Sequence, residues 1–279
     1  MLVFRCDDLG DAYQAVLREV EESGDEVRPR GMEVREVRPL VIELTDPSRS
    51  MVRRPGVNRA LIWLEIAFIL AGEYDHALLA RISPPAAELM TPHGAYGPRA
   101  ARQLEAVVDE LTDDPDSRRA VVLISRETDL EAARSVEREQ PCTLSWQFLL
   151  RGGRLEMVAS MRSWDLVWGL SGDVPCFTVV QRALAACLGA EAGTYYHVAG
   201  SGHVYARHYG LWRDVRPGAG DAVPLPVPDL GGLATPRERW AAVVASAREA
   251  LRALSAGDPS RAPEEWAAAA RAWGRRTGA

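Results

Sequence analysis

The most apolar stretch of the chain predicts a buried helix. Residues 57–71, VNRALIWLEIAFILA, have too few polar positions for a helix with one face in water, and Gly72 follows them as a typical helix end. Apolar residues recur every three or four positions over 9–23, which indicates an amphipathic helix that ends at Gly24. Residues 173–189, DVPCFTVVQRALAACLG, predict a second buried helix.

Shorter apolar or alternating runs predict strands at 39–45, 120–125, 142–150, 154–163 and 194–206. The third and fourth flank the tetrapeptide RGGR, whose glycines supply the positive φ angles that a tight hairpin needs. Residues 27–37 are predicted as a basic loop. Further helices are expected near 99–112, 236–255 and 262–275.

These elements predict one α/β domain of the α+β type over residues 1–279. Its sheet is expected to be mostly antiparallel, twisted and covered by helices. The C-terminal segment, from about 233 to 279, is predicted to be helical. No internal repeat and no proline- or glycine-rich linker convincingly divides the chain into two domains.

Composition narrows the classes of function. The 279 residues are 47% hydrophobic and 26% charged, as in globular proteins that bury a full core. No apolar run approaches the roughly 20 residues of a membrane span and no signal peptide begins the chain, so a cytoplasmic protein without membrane contact is expected. The net charge of −6 argues against a nucleic-acid partner. Four cysteines without a CxxC pair and five histidines without ligand spacing predict free thiols and no metal.

All 33 basic residues are arginine, which excludes lysine nucleophiles and Schiff bases. Several of these arginines gather at the ends of predicted elements. Such groups suit a phosphate, because the planar guanidinium matches phosphate oxygens. The arginines concerned are Arg28, Arg30, Arg118, Arg119 and Arg162.

Two carboxyl groups occupy unusual positions. Glu65 lies in the middle of the buried helix, where an unpaired carboxylate costs several kcal/mol, so it must be paired, protonated or functional. Asp173 stands where a turn is predicted to give way to a helix. It is either an N-cap, because its oxygen can accept an orphan backbone N–H, or a group that reads a ligand.

Six segments resemble those of thymidylate synthase and occur in the same order. They are EIAFILAG (65–72), HGAYG (93–97), DPDSRR (114–119), QPCTLSWQF (140–148), RSWDLVWGLSGD (162–173) and GSGHVY (200–205). On these motifs, residues 28–208 resemble the thymidylate synthase family. The resemblance implies that family's fold and a homodimer formed through the face of the sheet.

The resemblance also implies a role for each matched residue. Cys142 would be the nucleophile that adds to C6 of a pyrimidine nucleoside monophosphate, and Glu65 would move protons through water. 5,10-Methylene-tetrahydrofolate would be the co-substrate. The implied substrate-binding residues are Arg30, Tyr96, Arg162, Ser163, His203 and Tyr205, with Arg118 and Arg119 donated by the partner subunit. The implied folate-binding residues are Asp165, Trp168 and Gly169.

Asp173 departs from the family pattern, because thymidylate synthase has an asparagine there that reads uracil. Uracil presents O4 as an acceptor and N3–H as a donor, which an amide matches. Cytosine presents an N4 donor and an N3 acceptor, which a carboxyl group matches when one proton is shared. Asp173 therefore predicts cytosine, as in the cytidylate hydroxymethylases that resemble thymidylate synthase, and joins Cys142 and Glu65 as the third predicted catalytic residue.

Other departures favour a hydroxymethyl product. The residues Thr143, Met161, Ser171, Gly172 and Ser201 stand where the family has His, Gln, Pro, Phe and Asp. The final segment AWGRRTGA lacks the apolar tail that closes over folate in thymidylate synthase. Water is then expected to capture the methylene intermediate. CMP is favoured over dCMP because Cys176, one helical turn from Asp173, is expected to leave room beside the sugar.

Three alternatives stay open. The first is a methylase of the same family that acts on (d)CMP or dUMP and uses folate as the reductant. The second is a cysteine hydrolase that pairs Cys142 with His203, although no third member of a triad stands out. The third is a non-catalytic nucleotide-binding relative, against which the joint presence of Cys142 and Glu65 argues.

Overall fold

The computed structural model of the protein describes residues 1–132, 140–216 and 222–277. Within these ranges the strands are β1 (Leu2–Cys6), β2 (Asp25–Val27), β3 (Val34–Val37), β4 (Leu40–Leu44), β5 (Val121–Leu123), β6 (Thr143–Arg151), β7 (Arg154–Met161), β8 (Trp164–Asp165), β9 (Glu191–Ala199) and β10 (Gly202–Tyr205). The helices are α1 (Leu9–Ser23), α2 (Arg59–Ala71), α3 (His76–Ile82), α4 (Pro84–Leu89), α5 (Tyr96–Asp113), α6 (Asp129–Ala132), α7 (Gly169–Leu188), α8 (Pro236–Ser255) and α9 (Ala267–Thr277). None of the helices in the described ranges is long and apolar enough to cross a membrane.

The strands form two sheets. The larger has the order β1-β4-β9-β7-β6-β5, and the smaller has the order β2-β3-β10-β8. The pairs β1 with β4, β7 with β9 and β8 with β10 are parallel. The other five pairs among the described strands are antiparallel. The predicted fold class, a mostly antiparallel sheet covered by helices, is confirmed.

The helix α2 forms the centre of the helical layer, as its apolar sequence predicts. Asn58 caps it by accepting the Leu61 N–H at 3.1 Å, and Gly72 ends it in the left-handed conformation with a φ of 69°. Five of the described helices, α3, α5, α7, α8 and α9, pack against it. The C-terminal helices are tied to it directly, since Trp273 Nε1 donates to the Ala60 carbonyl at 3.1 Å. This packing carries the mid-helix carboxyl group of Glu65 into the interior.

One face of the large sheet packs against α1, α5 and α7, and residues of the other, here called the open sheet face, remain partly exposed. Neighbouring strands place one continuous row across it, formed by Val3, Val41, Val198, Ser160, Ser145 and Leu123. Val3 is 50% exposed and Leu123 is 59% exposed. Uncharged residues in such a row are typical of a surface that a second protein covers.

The helix predicted to begin at Asp173 begins four residues earlier. It starts at Gly169, because Asp165 Oδ1 accepts the backbone N–H groups of Val167 at 2.8 Å and Trp168 at 3.2 Å just ahead of the first turn. Asp173 therefore lies inside α7. Its interpretation as a helix N-cap is wrong.

Three other predicted boundaries also differ from the structure. The strand expected over 194–206 is split into β9 and β10, which belong to different sheets. Gly202 permits the crossing, because a Cβ there would lie only 2.5 Å from Leu40 Cδ2. The basic loop expected at 27–37 contains the end of β2 and all of β3. The helix expected at 262–275 begins only at Ala267, after 3-10 turns at 259–261 and 264–266.

Candidate active site

The β6–β7 hairpin brings Cys142 and Arg162 together. Its two turn glycines have φ angles of 55° and 75°, which confirms the hairpin predicted from RGGR. Thr143, the first residue of β6, pairs with Met161, the last residue of β7. Their outer neighbours are joined as well, since the Arg162 backbone N–H donates to the Cys142 carbonyl at 2.9 Å.

The Arg162 guanidinium lies against the segment that carries Cys142. Its Nε donates to the Pro141 carbonyl at 3.1 Å and its Nη2 to the Gln140 carbonyl at 2.8 Å. The same Nη2 is 3.8 Å from Cys142 Sγ. A positive charge at this distance favours the thiolate form of the cysteine. Arg162 remains exposed, so it can also contact an anionic ligand from the solvent side.

Two carboxyl groups lie near each other, Glu65 on α2 and Asp173 on α7. Both side chains keep partial exposure. Burial raises the pKa of Glu65 to about 7. Burial, followed by the negative charge of Glu65, raises the pKa of Asp173 well above its ordinary value. Glu65 is therefore suited to hold or move a proton near neutral pH, and Asp173 favours its protonated form.

Tyr96 connects these acids to the nucleophile. Its ring centroid lies 6.2 Å from that of Trp146 and 6.0 Å from that of Phe177. Burial raises the pKa of Tyr96 well above its ordinary value, and the charges of Asp173 and Cys142 raise it further. These groups are thus close enough to interact electrostatically. We call this region the Cys142 site, formed by Glu65, Tyr96, Cys142, Arg162 and Asp173.

Sequence reasoning missed Trp164, which holds one of these groups. Trp164 is fully buried, and its indole N–H donates to Asp173 Oδ2 at 3.2 Å. Its ring is stacked on His197, with centroids 3.6 Å apart and an interplanar angle of 8°. The sequence shows only an aromatic residue in the motif RSWDLVW. The contact depends on how the chain turns from β8 into α7, which residue spacing does not reveal.

The residues expected to bind folate lie together where β8 passes into α7. Asp165 ends the strand, Gly169 begins the helix, and Trp168 between them is 54% exposed. The Arg54 guanidinium lies 5.0 Å from the Trp168 ring centroid and donates to the Val167 carbonyl at 2.7 Å. An exposed ring beside a fixed cation fits a flat aromatic ligand with a carboxylate tail. Arg54 was not among the predicted residues.

The strand β10 places His203 and Tyr205 next to β8. His203 pairs with Asp165, and its ring lies edge-on to the Tyr205 ring at 5.1 Å. Burial lowers the pKa of His203. The imidazole is then neutral at physiological pH and can both donate and accept a hydrogen bond, as binding of a sugar hydroxyl requires.

Arg30 and Ser163, which are expected to bind the phosphate, lie at opposite sides of the pair formed by β8 and β10. Ser163 is partly buried and directly follows Arg162. Arg30 is exposed in a 3-10 turn that leads toward β3, whose first residue, Val34, pairs with Tyr205. Arg30 has a φ of 51°, in the left-handed region. Such strain costs about 1–3 kcal/mol and clusters at functional sites.

Arg118 and Arg119 are not brought to the Cys142 site of their own chain. Arg119 Nε donates to Glu110 Oε1 at 2.9 Å, and Gln147 Nε2 donates to the Arg118 carbonyl at 3.1 Å. Gln147 is five residues along β6 from Cys142, or about 17 Å at the usual rise of a strand. Both arginines are exposed and lie at the edge of the open sheet face.

A buried ion pair that was not predicted supports the helix carrying Tyr96. Arg99 donates to both carboxylate oxygens of Asp129, at 2.7 and 2.8 Å, and to the Ile124 carbonyl at 2.7 Å. The hydrogen bonds from Arg99 lower the pKa of Asp129 to about 2. The pair ties α5 to the chain that follows β5.

Among the described residues, no group of three or more His, Cys, Asp or Glu side chains is placed to hold a metal ion.

Comparison with protein families agrees with this geometry. The thymidylate synthase family matches residues 5–215, a range that includes all six motifs. The chain belongs to the thymidylate synthase family, and the resemblance read from the motifs is confirmed. The family's enzymes use methylene-tetrahydrofolate as co-substrate. The helices α8 and α9 lie beyond the matched range but pack on α2 within it.

Several curated relatives are similar to part of the chain. A deoxyuridylate hydroxymethyltransferase of Bacillus phage SP01 is 31% identical over 222 residues, which cover 71% of this chain and 57% of the phage protein. A deoxyuridylate hydroxymethyltransferase of Pseudomonas phage M6 is 29% identical over 187 residues, 59% of this chain and 52% of that protein. A thymidylate synthase of Equine herpesvirus 2 (strain 86/87) is 31% identical over 113 residues, 40% of this chain and 38% of that protein. The chain thus spans about half the length of these relatives.

The raised pKa of Glu65 predicts that stability depends on pH. The folded protein binds this proton up to about pH 7, whereas an ordinary glutamate loses it near 4.5. The contribution to stability is therefore complete below pH 4.5 and lost by about pH 7, with an upper limit on the order of 3 kcal/mol. Between pH 4.5 and 8, the free energy of unfolding measured in urea should fall less for Glu65→Gln than for wild type. The control Glu249→Gln, on an exposed face of α8, should follow wild type, and equal losses in all three proteins would contradict the expectation.

Proposed function

We propose that the protein is a folate-dependent hydroxymethyltransferase that converts CMP, or dCMP, into its 5-hydroxymethyl derivative. The observation that carries the proposal is the carboxyl group of Asp173, which lies with Cys142 and Glu65 where the family resemblance places a base-reading asparagine. Residues 1–279 are proposed to act as one catalytic unit, because α8 and α9 pack against the helix that carries Glu65.

Cys142 begins the proposed reaction. Its thiolate, favoured by the Arg162 guanidinium at 3.8 Å, adds to C6 of the pyrimidine. The new C–S bond displaces the C5=C6 electron pair onto C5, which becomes nucleophilic and forms a bond to the one-carbon unit. Glu65, with a pKa of about 7, is suited to relay the C5 proton through water. When the product forms, the C–S bond breaks and Cys142 regains its thiolate.

The residues around Trp168 fit the co-substrate of the family. Methylene-tetrahydrofolate supplies a methylene group at the oxidation level of formaldehyde. The exposed Trp168 ring would contact its aromatic part, Arg54 its carboxylate tail, and Asp165 and Gly169 would line the adjoining turn. One water is consumed and tetrahydrofolate is released, so the proposed hydroxymethyl transfer needs neither an oxidant nor a reductant.

Space beside Glu65 supports water rather than hydride as the final reactant. A Cβ added at Gly172 would have no neighbour closer than Glu65 Oε2 at 3.9 Å, so this position leaves open volume next to the carboxyl group. A water molecule there would be activated by Glu65 for attack on the exocyclic carbon. The names of two phage relatives also specify hydroxymethyl transfer. A methylase of the same family remains the alternative.

The site residues of this chain and the names of its relatives point to different pyrimidine bases in the substrate. Both phage relatives are named for deoxyuridylate, so deoxyuridylate hydroxymethylation is the second candidate function. With one proton shared between its carboxyl group and N3, Asp173 can accept from cytosine N4 and donate to N3. This carboxyl group, in place of the asparagine by which thymidylate synthase reads uracil, supports cytosine.

The reaction can be tested by product mass. Incubation with methylene-tetrahydrofolate and CMP, dCMP, UMP or dUMP is expected to add the elements CH2O to a cytidine nucleotide and to release tetrahydrofolate. Addition of CH2 with release of dihydrofolate would favour the methylase.

Cys142→Ser should abolish turnover, because a serine hydroxyl is a poor nucleophile here, but should leave CMP binding largely intact in calorimetry. The control Cys6→Ser, in β1, should remain active, and substantial activity of Cys142→Ser would disprove the covalent mechanism.

Asp173→Asn tests which base is read. The substitution replaces an acceptor by a donor at nearly constant size. An unmatched buried polar pair costs about 1–3 kcal/mol, so kcat/KM for the cytidine nucleotide should fall roughly ten- to a hundredfold. Turnover or binding of UMP or dUMP should improve. A ratio of kcat/KM for CMP over UMP that equals the wild-type ratio would remove Asp173 as the base reader.

We also propose a homodimer formed through the open sheet face. Its row of uncharged residues, with Val3 and Leu123 half exposed or more, is a suitable surface for a second copy. Arg118 and Arg119 lie at the edge of this face, beside Gln147, which is about 17 Å along β6 from Cys142 of the same chain. In such a dimer they would bind the nucleotide phosphate in the partner's site, together with the partner's Arg30, Arg162 and Ser163.

Shared sites predict complementation between inactive subunits. Cys142→Ser and Arg119→Ala proteins, mixed and refolded together, should recover activity, because each heterodimer combines an intact Cys142 with an intact Arg119. Random pairing should restore about one quarter of the sites. The measurement is activity per subunit after heterodimers are confirmed by mass spectrometry. An absence of recovery in proven heterodimers would assign Arg119 to its own chain or to no site.

A further inference from the structure

A single hydrogen bond holds the carboxyl group that is proposed to read the base. The indole N–H of Trp164 donates to Asp173 Oδ2 at 3.2 Å. Trp164 is fully buried, and its backbone N–H donates to the Ser201 carbonyl at 2.8 Å, which fixes it in β8. This bond uses one lone pair of Oδ2. The second lone pair of Oδ2, and Oδ1, can then bind a ligand.

The indole is held in place by packing on both sides of this bond. Its ring is stacked on His197 at 3.6 Å, and His197 Nδ1 is 2.7 Å from the Tyr195 hydroxyl. Burial lowers the pKa of His197 to about 3, so the ring beneath the indole is neutral. Gly169 allows the close approach, since a Cβ there would lie 3.1 Å from Asp173 Oδ2 and 3.2 Å from Trp164 Cδ1.

A protonated carboxyl group by itself matches both pyrimidines. With cytosine, its O–H donates to N3 and its other oxygen accepts from N4; with uracil, its O–H donates to O4 and its other oxygen accepts from N3. Burial and the charge of Glu65 raise the pKa of Asp173 and favour this protonated form, and they outweigh the Trp164 hydrogen bond, which lowers that pKa. An aspartate in this position therefore distinguishes the bases only if its proton is confined to one oxygen.

We propose that Trp164 is the residue that sets base specificity, because its indole N–H keeps Oδ2 of Asp173 an acceptor and confines the acid proton to Oδ1. An indole N–H can only donate, and the oxygen that carries the proton is a poor acceptor. The orientation that selects cytosine has Oδ2 opposite position 4 of the base, so that Oδ2 accepts from cytosine N4 with its second lone pair and Oδ1–H donates to N3. Uracil then meets the wrong group at both positions. The inference rests on the proposed function, since it concerns the base of the same substrate.

Trp164→Phe tests the inference, because it removes the N–H and keeps an aromatic ring to stack on His197. The measurement is kcat/KM for CMP and UMP, and for dCMP and dUMP, at saturating methylene-tetrahydrofolate. The ratio of the preferred to the other base is expected to fall at least about tenfold toward one, because Asp173 can then place its proton on either oxygen. The control Trp266→Phe also removes a buried indole donor, which bonds Ser246 Oγ at 3.0 Å, and should keep the wild-type ratio.

The outcomes separate this inference from the proposed function. If Trp164→Phe lowers turnover of both bases in parallel and the ratio stays within about twofold of wild type, Trp164 only packs the site and the inference is overturned. If wild type prefers a uridine nucleotide, the proposed cytidylate function is wrong. The inference about Trp164 is then supported if Trp164→Phe loses the preference for uridine, and overturned if it keeps it. If wild type turns over neither base, the same ratio is taken from calorimetric binding of CMP and UMP.

A second pair of variants keeps the test decisive if Trp164→Phe does not fold. Trp164→His retains a ring N–H, and Trp164→Leu retains an apolar side chain without a donor. The histidine variant is expected to keep part of the discrimination and the leucine variant to lose it. Equal ratios in these two folded proteins would overturn the inference.

Discussion

The candidate catalytic site depends on the hydrogen bond from the Arg162 backbone N–H to the Cys142 carbonyl. This bond joins the ends of β6 and β7 that lie away from the turn, and two glycines at positive φ form the turn itself. Side chains alternate along strands, so a slip of one residue would turn Met161 away from the core and Arg162 away from the nucleophile. The 3.8 Å contact between guanidinium and sulfur thus depends on the register of the whole hairpin.

The Cys142 site combines two opposite electrostatic environments. On the solvent side, Arg162 is exposed and favours negative charge, both on the Cys142 sulfur and on an anionic ligand. On the inner side, burial disfavours charge on Glu65 and Asp173 and raises the pKa of both. Two apolar residues would stabilise this region better, because neighbouring buried acids repel each other and lose hydration. In the proposed function these two acids transfer a proton and read the base, for which stability is given up.

Sequence patterns predicted what depends on local signals. The helix α2 was predictable because 57–71 leaves no face for water, and the hairpin because its turn requires glycine. Motifs likewise located Cys142, Glu65 and Arg162, which the fold brings together. Boundaries set by tertiary contacts were not predictable, such as the split of residues 194–206 into strands of two different sheets. The same holds for the indole bond of Trp164, which reaches nine residues ahead, across the turn from a strand into a helix.

Base recognition shows why the identity of one residue is an incomplete guide to specificity. A buried carboxyl group such as that of Asp173 is favoured in its protonated form, and a protonated carboxyl group has a donor and an acceptor that either pyrimidine can satisfy. The names of the deoxyuridylate relatives therefore do not contradict the proposal that Asp173 reads cytosine, because the chemistry of this one position allows either base. Discrimination requires a second group that assigns the proton to one oxygen, and the indole of Trp164 is placed to do so. In this family an aspartate at the base-reading position should be selective where a neighbouring donor engages one oxygen, and tolerant of both bases where none does.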